Sequence, residues 1–153
     1  MRATVSILLI AASALLAWSE DPFVGSWKLD MEKSSTAKGK ASETRTITFM
    51  AIPHGYQGTS QIGSGPAASG EMILDGKERE APQSRIVTNT GATSAIATRI
   101  SDHAFSIRYL RGGETVATNR TEVSRDGKTL TMTSDGKYSD GTKLHNVFVY
   151  VRQ

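Results

Sequence analysis

Four Asp-Gly pairs, at Asp75-Gly76, Asp126-Gly127, Asp135-Gly136 and Asp140-Gly141, and one Gly-Gly pair at Gly112-Gly113, constrain this chain more than any other feature. Such pairs supply the positive φ angles that tight hairpin turns demand. They stand between short segments patterned as strands. Thr46-Ile47-Thr48-Phe49 and Thr129-Leu130-Thr131-Met132-Thr133 alternate polar and apolar residues, as half-buried strands do. Val147-Phe148-Val149-Tyr150-Val151 is β-branched and aromatic throughout, a composition suited to a pleated surface. Further strands are expected at 24–30, 55–62, 71–74, 84–89, 94–100, 104–110 and 115–124, eight to ten in all.

Asp135-Gly136 and Asp140-Gly141 are too close for both to close hairpins, so Asp140-Gly141 is expected to be the turn and Gly136 a bulge. Met31 to Lys40 is the one helical candidate. It lacks an apolar stripe and contains Gly39, which predicts a loop or a single helical turn. The small residues from Gly63 to Gly70 read as a surface loop. A meander of this many antiparallel strands hides its edges most simply by closing, so the expected fold is all-β, an antiparallel up-and-down barrel of eight to ten strands. A β-sandwich is the competitor, but it usually includes longer crossing connections than this sequence offers.

The N-terminus has the three parts of an export signal. Arg2 is the positive start, Val5 to Trp18 the apolar run, and Ala17 and Ser19 are small residues at the −3 and −1 positions of a cut before Glu20. The run is shorter than the ~20 residues that span a bilayer. Residues 1–19 are therefore expected to be a cleavable signal peptide and 20–153 one domain, secreted or periplasmic, with no stable membrane insertion after processing. The absence of cysteine excludes disulfides, thiolate metal sites and cysteine nucleophiles. A net charge of +3 without a basic cluster gives no argument for nucleic acid.

No catalytic constellation stands out. No serine lies in a Gly-x-Ser-x-Gly turn, no carboxylate pair makes a convincing acid/base dyad, and no glycine loop opens a helix to cradle phosphate. His54, His103 and His145 are far apart and lack metal-ligand spacing. No catalytic residue, metal ligand or cofactor is assigned.

Gly25-Ser26-Trp27, followed by Lys28-Leu29, resembles the Gly-x-Trp signature that opens the first strand of lipocalins and fatty-acid-binding proteins. The run from Pro22 to Leu29, Ser124 to Thr131 and the closing Asn146 to Tyr150 resemble small secreted bacterial lipocalin-like (calycin) proteins over nearly the whole of residues 20–153. That resemblance implies the barrel fold and export. It also implies that Gly25 and Trp27 are structural, with Trp27 plugging the closed end.

The C-terminal third resembles the last three strands of fatty-acid-binding proteins, in which an inward arginine and an Arg-x-Tyr on the last strand hold a carboxylate. Arg120 matches the first arginine and Tyr150 the tyrosine, while Phe148 stands where the second arginine would be. The resemblance thus implies Arg120, Tyr150 and Phe148 as ligand-binding residues. If Arg120 faces inward it needs a partner, because an unpaired buried charge is expensive. A ligand carboxylate is one candidate; a stack on Trp27, a cross-strand acid or plain exposure are the others.

The expected function is binding of a small apolar or amphipathic molecule by a monomer. The alternative is an extracytoplasmic interaction protein with a side-chain-filled barrel. Some lipocalin-like barrels are enzymes, which would require a titratable cluster within the cavity. A cavity of ~300 Å³ or more separates the first two.

Overall fold

The computed structural model describes residues 20–153; the expected signal peptide, residues 1–19, lies outside the described residues. The strands are β1 (Gly25–Thr36), β2 (Gly39–Lys40), β3 (Arg45–Ile52), β4 (Gly55–Ile62), β5 (Ala68–Ile73) and β6 (Asp75–Glu80). After helix α1 (Arg85–Thr90) come β7 (Ser94–Ser101), β8 (Ala104–Arg111), β9 (Glu114–Val123), β10 (Thr129–Lys137) and β11 (Lys143–Arg152). They form one antiparallel sheet in the order β5-β4-β3-β1-β11-β10-β9-β8-β7-β6, with the short β2 against β1.

Most neighbours in sequence pair in space, as hairpin chemistry dictates, but β5 and β6 do not: they are the two ends of the strand order. The one long-range pairing sets β1 between β3 and β11: Trp27 pairs with Ile47 on one side and Arg152 on the other. This joins the two ends of the meander and rolls the sheet into a nearly closed barrel. The ladder ends at β5 and β6, which meet at Leu74, where the Leu74 N–H donates to the His54 carbonyl at 2.8 Å. Ten strands lie on this path, within the expected range.

Five local expectations are corrected. The stretch from Gly63 to Gly70 is not all loop, since β5 begins at Ala68, and Asp75-Gly76 is not a hairpin turn but the start of β6, which does not pair with β5. Met31 to Lys40 is neither loop nor helical turn; β1 continues through it to Thr36, and β2 returns against its end. The register slips between Asp30 and Ser35, where the Asp30 carboxylate accepts from the Glu32 and Lys33 N–H groups. Conversely, 84–89 is not a strand but the start of α1. Ser84 caps that helix by accepting from the Val87 N–H at 3.4 Å, and Gly91 ends it at φ 67°. Gly136 is not a bulge either. It pairs in unbroken register with Leu144 and Ala117, and the slip lies in β9, where Val116 is the extra residue between Ala117 and Thr115. Asp140-Gly141 does lie in the turn that joins β10 to β11.

One end of the barrel is packed solid. Phe23, Trp27, Tyr56 and Phe105 are essentially inaccessible to solvent. Phe23 and Phe105 have ring centres 5.0 Å apart, and Phe23 and Tyr56 5.4 Å apart. Trp27 donates its indole N–H to the Phe23 carbonyl at 3.0 Å, so its one polar atom is satisfied within the plug. Gly25 adopts φ 128°, a conformation that favours glycine and turns the chain from the plug into β1. A second apolar cluster, built on Tyr109, Ala117 and Leu144 with Ile86 and Val87 of α1, lies toward the other end. Among the described residues no helix is long and apolar enough to cross a membrane.

Candidate functional site

Strand alternation sorts β9, β10 and β11 into inward rows. From the α1 end to the plugged end, the cross-strand rows are Asn119, Ser134 and Asn146; then Thr121, Met132 and Phe148; then Val123, Leu130 and Tyr150. Of these rows Asn119, Ser134, Asn146, Met132, Phe148 and Tyr150 line an open cavity of about 720 Å³ above the plug. Its wall includes Ile47, Ile62, Met132, Phe148 and Tyr150, with Asn119, Ser134 and Asn146 on the polar side. Helix α1 and the β10–β11 turn border its entrance, where Arg85 pairs with Glu43 at 2.5 Å and the Ser139 N–H donates to the Asn89 carbonyl at 2.8 Å.

Tyr150 and Phe148 thus both line the cavity. Arg120 does not join them. On β9 the inward residues are Ala117, Asn119, Thr121 and Val123, so Arg120 is on the outer face, half exposed, and pairs with Glu122 two residues along at 2.7 Å. That pair keeps the Arg120 guanidinium charged and holds the Glu122 carboxyl below its ordinary range. The expected placement of Arg120 at the polar end of the cavity is therefore corrected, and solvent and Glu122 satisfy its charge. The cation on Trp27 is a different residue, Arg152, whose guanidinium carbon lies 4.2 Å from the ring centre.

Arg45, at the start of β3, is a cation within the cavity wall, which Lys38 and Arg85 also border. Its guanidinium carbon lies 4.5 Å from the centre of the Phe148 ring. Its Nε and the Tyr150 hydroxyl are both buried without a hydrogen-bond partner among the described residues. Burial raises the Tyr150 phenol above its ordinary value; the neighbouring Arg45 guanidinium opposes that shift by its charge and by its N–H groups, which approach the hydroxyl without making a full hydrogen bond. Arg45 was missed by the sequence analysis, although Arg45, Ile47 and Phe49 share one strand face by simple alternation.

The plugged end holds a second arginine in a closed set of contacts. Arg99 donates to the Tyr56 hydroxyl at 2.7 Å, and that hydroxyl contacts both Asp21 carboxylate oxygens at 2.7 and 2.8 Å. Desolvation and the Asp21 hydrogen bond raise the Tyr56 phenol well above its ordinary value. These groups satisfy one another and seal the floor. His54 and His103 lie at strand turns, and His145 contacts Asp135 across the β10–β11 hairpin at 2.7 Å. Among the described residues no cluster of three or more His, Asp or Glu could hold a metal ion.

No family model matches the sequence, and no curated protein is similar to it. Solved structures are similar in fold. A Schistosoma mansoni fatty acid binding protein in complex with arachidonic acid aligns with a TM-score of 0.58 at 16% identity, over 86% of this chain and 96% of that one. A zebrafish ileal bile acid-binding protein complexed with cholic acid aligns with a TM-score of 0.57 at 16% identity, over 86% and 99%. Secretory abundant heat soluble protein 4 from Ramazzottius varieornatus aligns at 0.58 and 10% identity, over 89% and 98%. At such identities the likeness is one of fold.

Proposed function

We propose that this is an exported protein that binds a small amphipathic molecule inside its barrel, with the anionic head of the ligand held by Arg45 and Tyr150 and its apolar body against Phe148, Met132 and Ile47. The observation that carries this proposal is the pairing of an inward guanidinium with a buried phenol, each with an unused hydrogen-bonding atom, on the wall of a cavity of about 720 Å³. A buried polar atom without a partner costs about 1–3 kcal/mol, and an anionic oxygen would satisfy both. An arginine can offer a carboxylate two parallel hydrogen bonds, and a phenol adds a third. The cavity volume falls within the ~300–1,000 Å³ of small-molecule sites. The fatty-acid and bile-acid complexes of the fold neighbours are consistent with this chemistry. Export is supported by the charged start, apolar run and small residues of 1–19.

The test is titration of a fluorescent long-chain fatty acid, and of the matching uncharged alcohol, into wild type, Arg45→Met and Tyr150→Phe. Arg45→Met should weaken the acid about ten-fold or more and leave the alcohol nearly unchanged, the scale of one charged hydrogen bond. Equal affinity of wild type and Arg45→Met for the acid would reject the role of Arg45. Binding of neither probe to the wild type would favour an interaction protein that carries no small molecule.

A further inference from the structure

We infer that the ligand carries a second polar group, a hydroxyl or carbonyl on its apolar body, recognised by the row Asn119–Ser134–Asn146. This inference rests on the proposed binding function and specifies its ligand class: a hydroxylated or oxidised amphipathic acid, not a plain hydrocarbon chain.

The row is a polar belt across three adjacent strands of the cavity wall. Ser134 pairs in register with Asn119 on β9 and Asn146 on β11. Its internal hydrogen bonds leave capacity over. Asn119 donates from Nδ2 to the Ser134 hydroxyl at 2.9 Å and accepts at Oδ1 from the Thr121 hydroxyl at 3.0 Å. Those two bonds fix the orientation of the Asn119 amide and use one of its two N–H donors. Ser134 is 4% exposed and accepts from Asn119; no acceptor for its own proton is present among the described residues. Asn146 accepts from the Ala37 N–H at 3.1 Å through Oδ1, which leaves its amide nitrogen as a donor. The belt therefore offers spare donors to the cavity, and what it lacks is an acceptor.

A plain alkyl chain laid along this wall would strip water from those donors and replace it with nothing. The penalty is that of an unsatisfied buried polar group. A ligand oxygen at this level removes the penalty. The belt lies one row nearer the entrance than Phe148 and two rows nearer than Tyr150. At about 3.3 Å per residue this puts the second oxygen ~7–13 Å along the strands from the head group. On β3 and β4 the lining residues Ile47 and Ile62 stand beside Arg45 and Ser60, so the apolar body of the ligand has Ile47, Ile62, Met132 and Phe148 to lie against.

The experiment compares stearic acid with a series of hydroxystearic acids, the hydroxyl at successive mid-chain positions, by calorimetric titration into wild type, Ser134→Ala and Asn119→Leu. In wild type the best hydroxy acid should bind about five-fold tighter than stearic acid, the scale of one hydrogen bond. Ser134→Ala and Asn119→Leu should lose that preference, so that hydroxy acid and stearic acid bind each variant alike. Should Asn119→Leu fail to fold, Ser134→Ala, which removes a single hydroxyl, carries the same comparison. Stearic acid binding with no preference for any hydroxy acid, or a preference that survives both substitutions, would overturn the inference and leave the binding function standing. Failure of every acid to bind the wild type would remove the binding function itself, and this inference with it.

Discussion

Arg152 holds its guanidinium carbon 4.2 Å from the centre of the Trp27 ring while donating to the carbonyls of Pro22 at 2.6 Å, Gly127 at 2.7 Å and Val24 at 2.8 Å. One side chain near the chain's end thereby ties the N-terminal turn and the β9–β10 turn around the aromatic plug.

Trp27 supplies the apolar area of that plug, and Arg152 its outer clasp. Trp27→Ala should lower unfolding free energy by ~3–5 kcal/mol in urea titrations, the range for removing a large buried aromatic. Arg152→Ala should cost less, about 1–2 kcal/mol, because its contacts are exposed. Arg152→Lys should recover less than half of that, since one ammonium cannot reproduce a planar fork that reaches three carbonyls. A loss under about 1 kcal/mol for Trp27→Ala would show the plug to be dispensable.

Gly136 is where β10 lets β9 come close. A Cβ there would lie 2.3 Å from the Val116 carbonyl oxygen and 2.6 Å from the Ala117 Cα, both backbone atoms. Gly136→Ala should therefore cost about 2–4 kcal/mol, measured by urea denaturation. Gly39→Ala is the control: its φ of 123° is also strained for alanine, but the space around it is open, and it should cost only about 1 kcal/mol.

Much of the barrel could be read from the sequence because period-two alternation and Asp-Gly turns are local signals. The misreadings arose where two signals competed. Ile86, Val87, Thr88 and Thr90 are β-branched and read as strand, yet Ser84 and Gly91 cap them into a helix at the barrel entrance. On β9 the inward face carries Asn119 and Thr121, so polarity did not mark which side was inside, and Arg120 could be assigned to either. The alternating run legible in the sequence begins at Thr46, one residue after Arg45. Extending the alternation of Ile47 and Phe49 back by two residues would have found it. The polar belt depends on register across three strands, which the sequence of any one strand does not specify.

Arg120 and Arg45 should accordingly behave as opposites. Arg120→Ala removes an exposed pair with Glu122 and should leave the urea unfolding midpoint close to that of wild type. It should leave fatty-acid affinity within a factor of two of wild type. A fall in affinity matching that of Arg45→Met, read by the same fluorescence titration, would place the head group on β9 and contradict the register described here.

Alkaline pH should destabilise the barrel through its tyrosines. Burial pushes the Tyr109 phenol up to about 12, and Tyr56 and Tyr150 are also raised, mainly by desolvation. An unfolded tyrosine loses its proton near pH 10, whereas these keep theirs in the fold. Between about pH 10 and 12 the native state therefore binds more protons than the unfolded state, so stability falls as pH rises. The contribution is fully present below pH 10 and is lost as pH rises through the folded values. The slope should reach at most about 1.4 kcal/mol per pH unit for each such tyrosine. Urea midpoints measured from pH 9 to 11 should stay level at first and then drop. Tyr109→Phe, which keeps the ring and removes the ionisable hydroxyl, should make the drop shallower by one tyrosine's share. An unchanged slope in Tyr109→Phe would mean that Tyr109 titrates alike in the folded and unfolded chain, which its burial in the cluster with Ala117 and Leu144 does not allow.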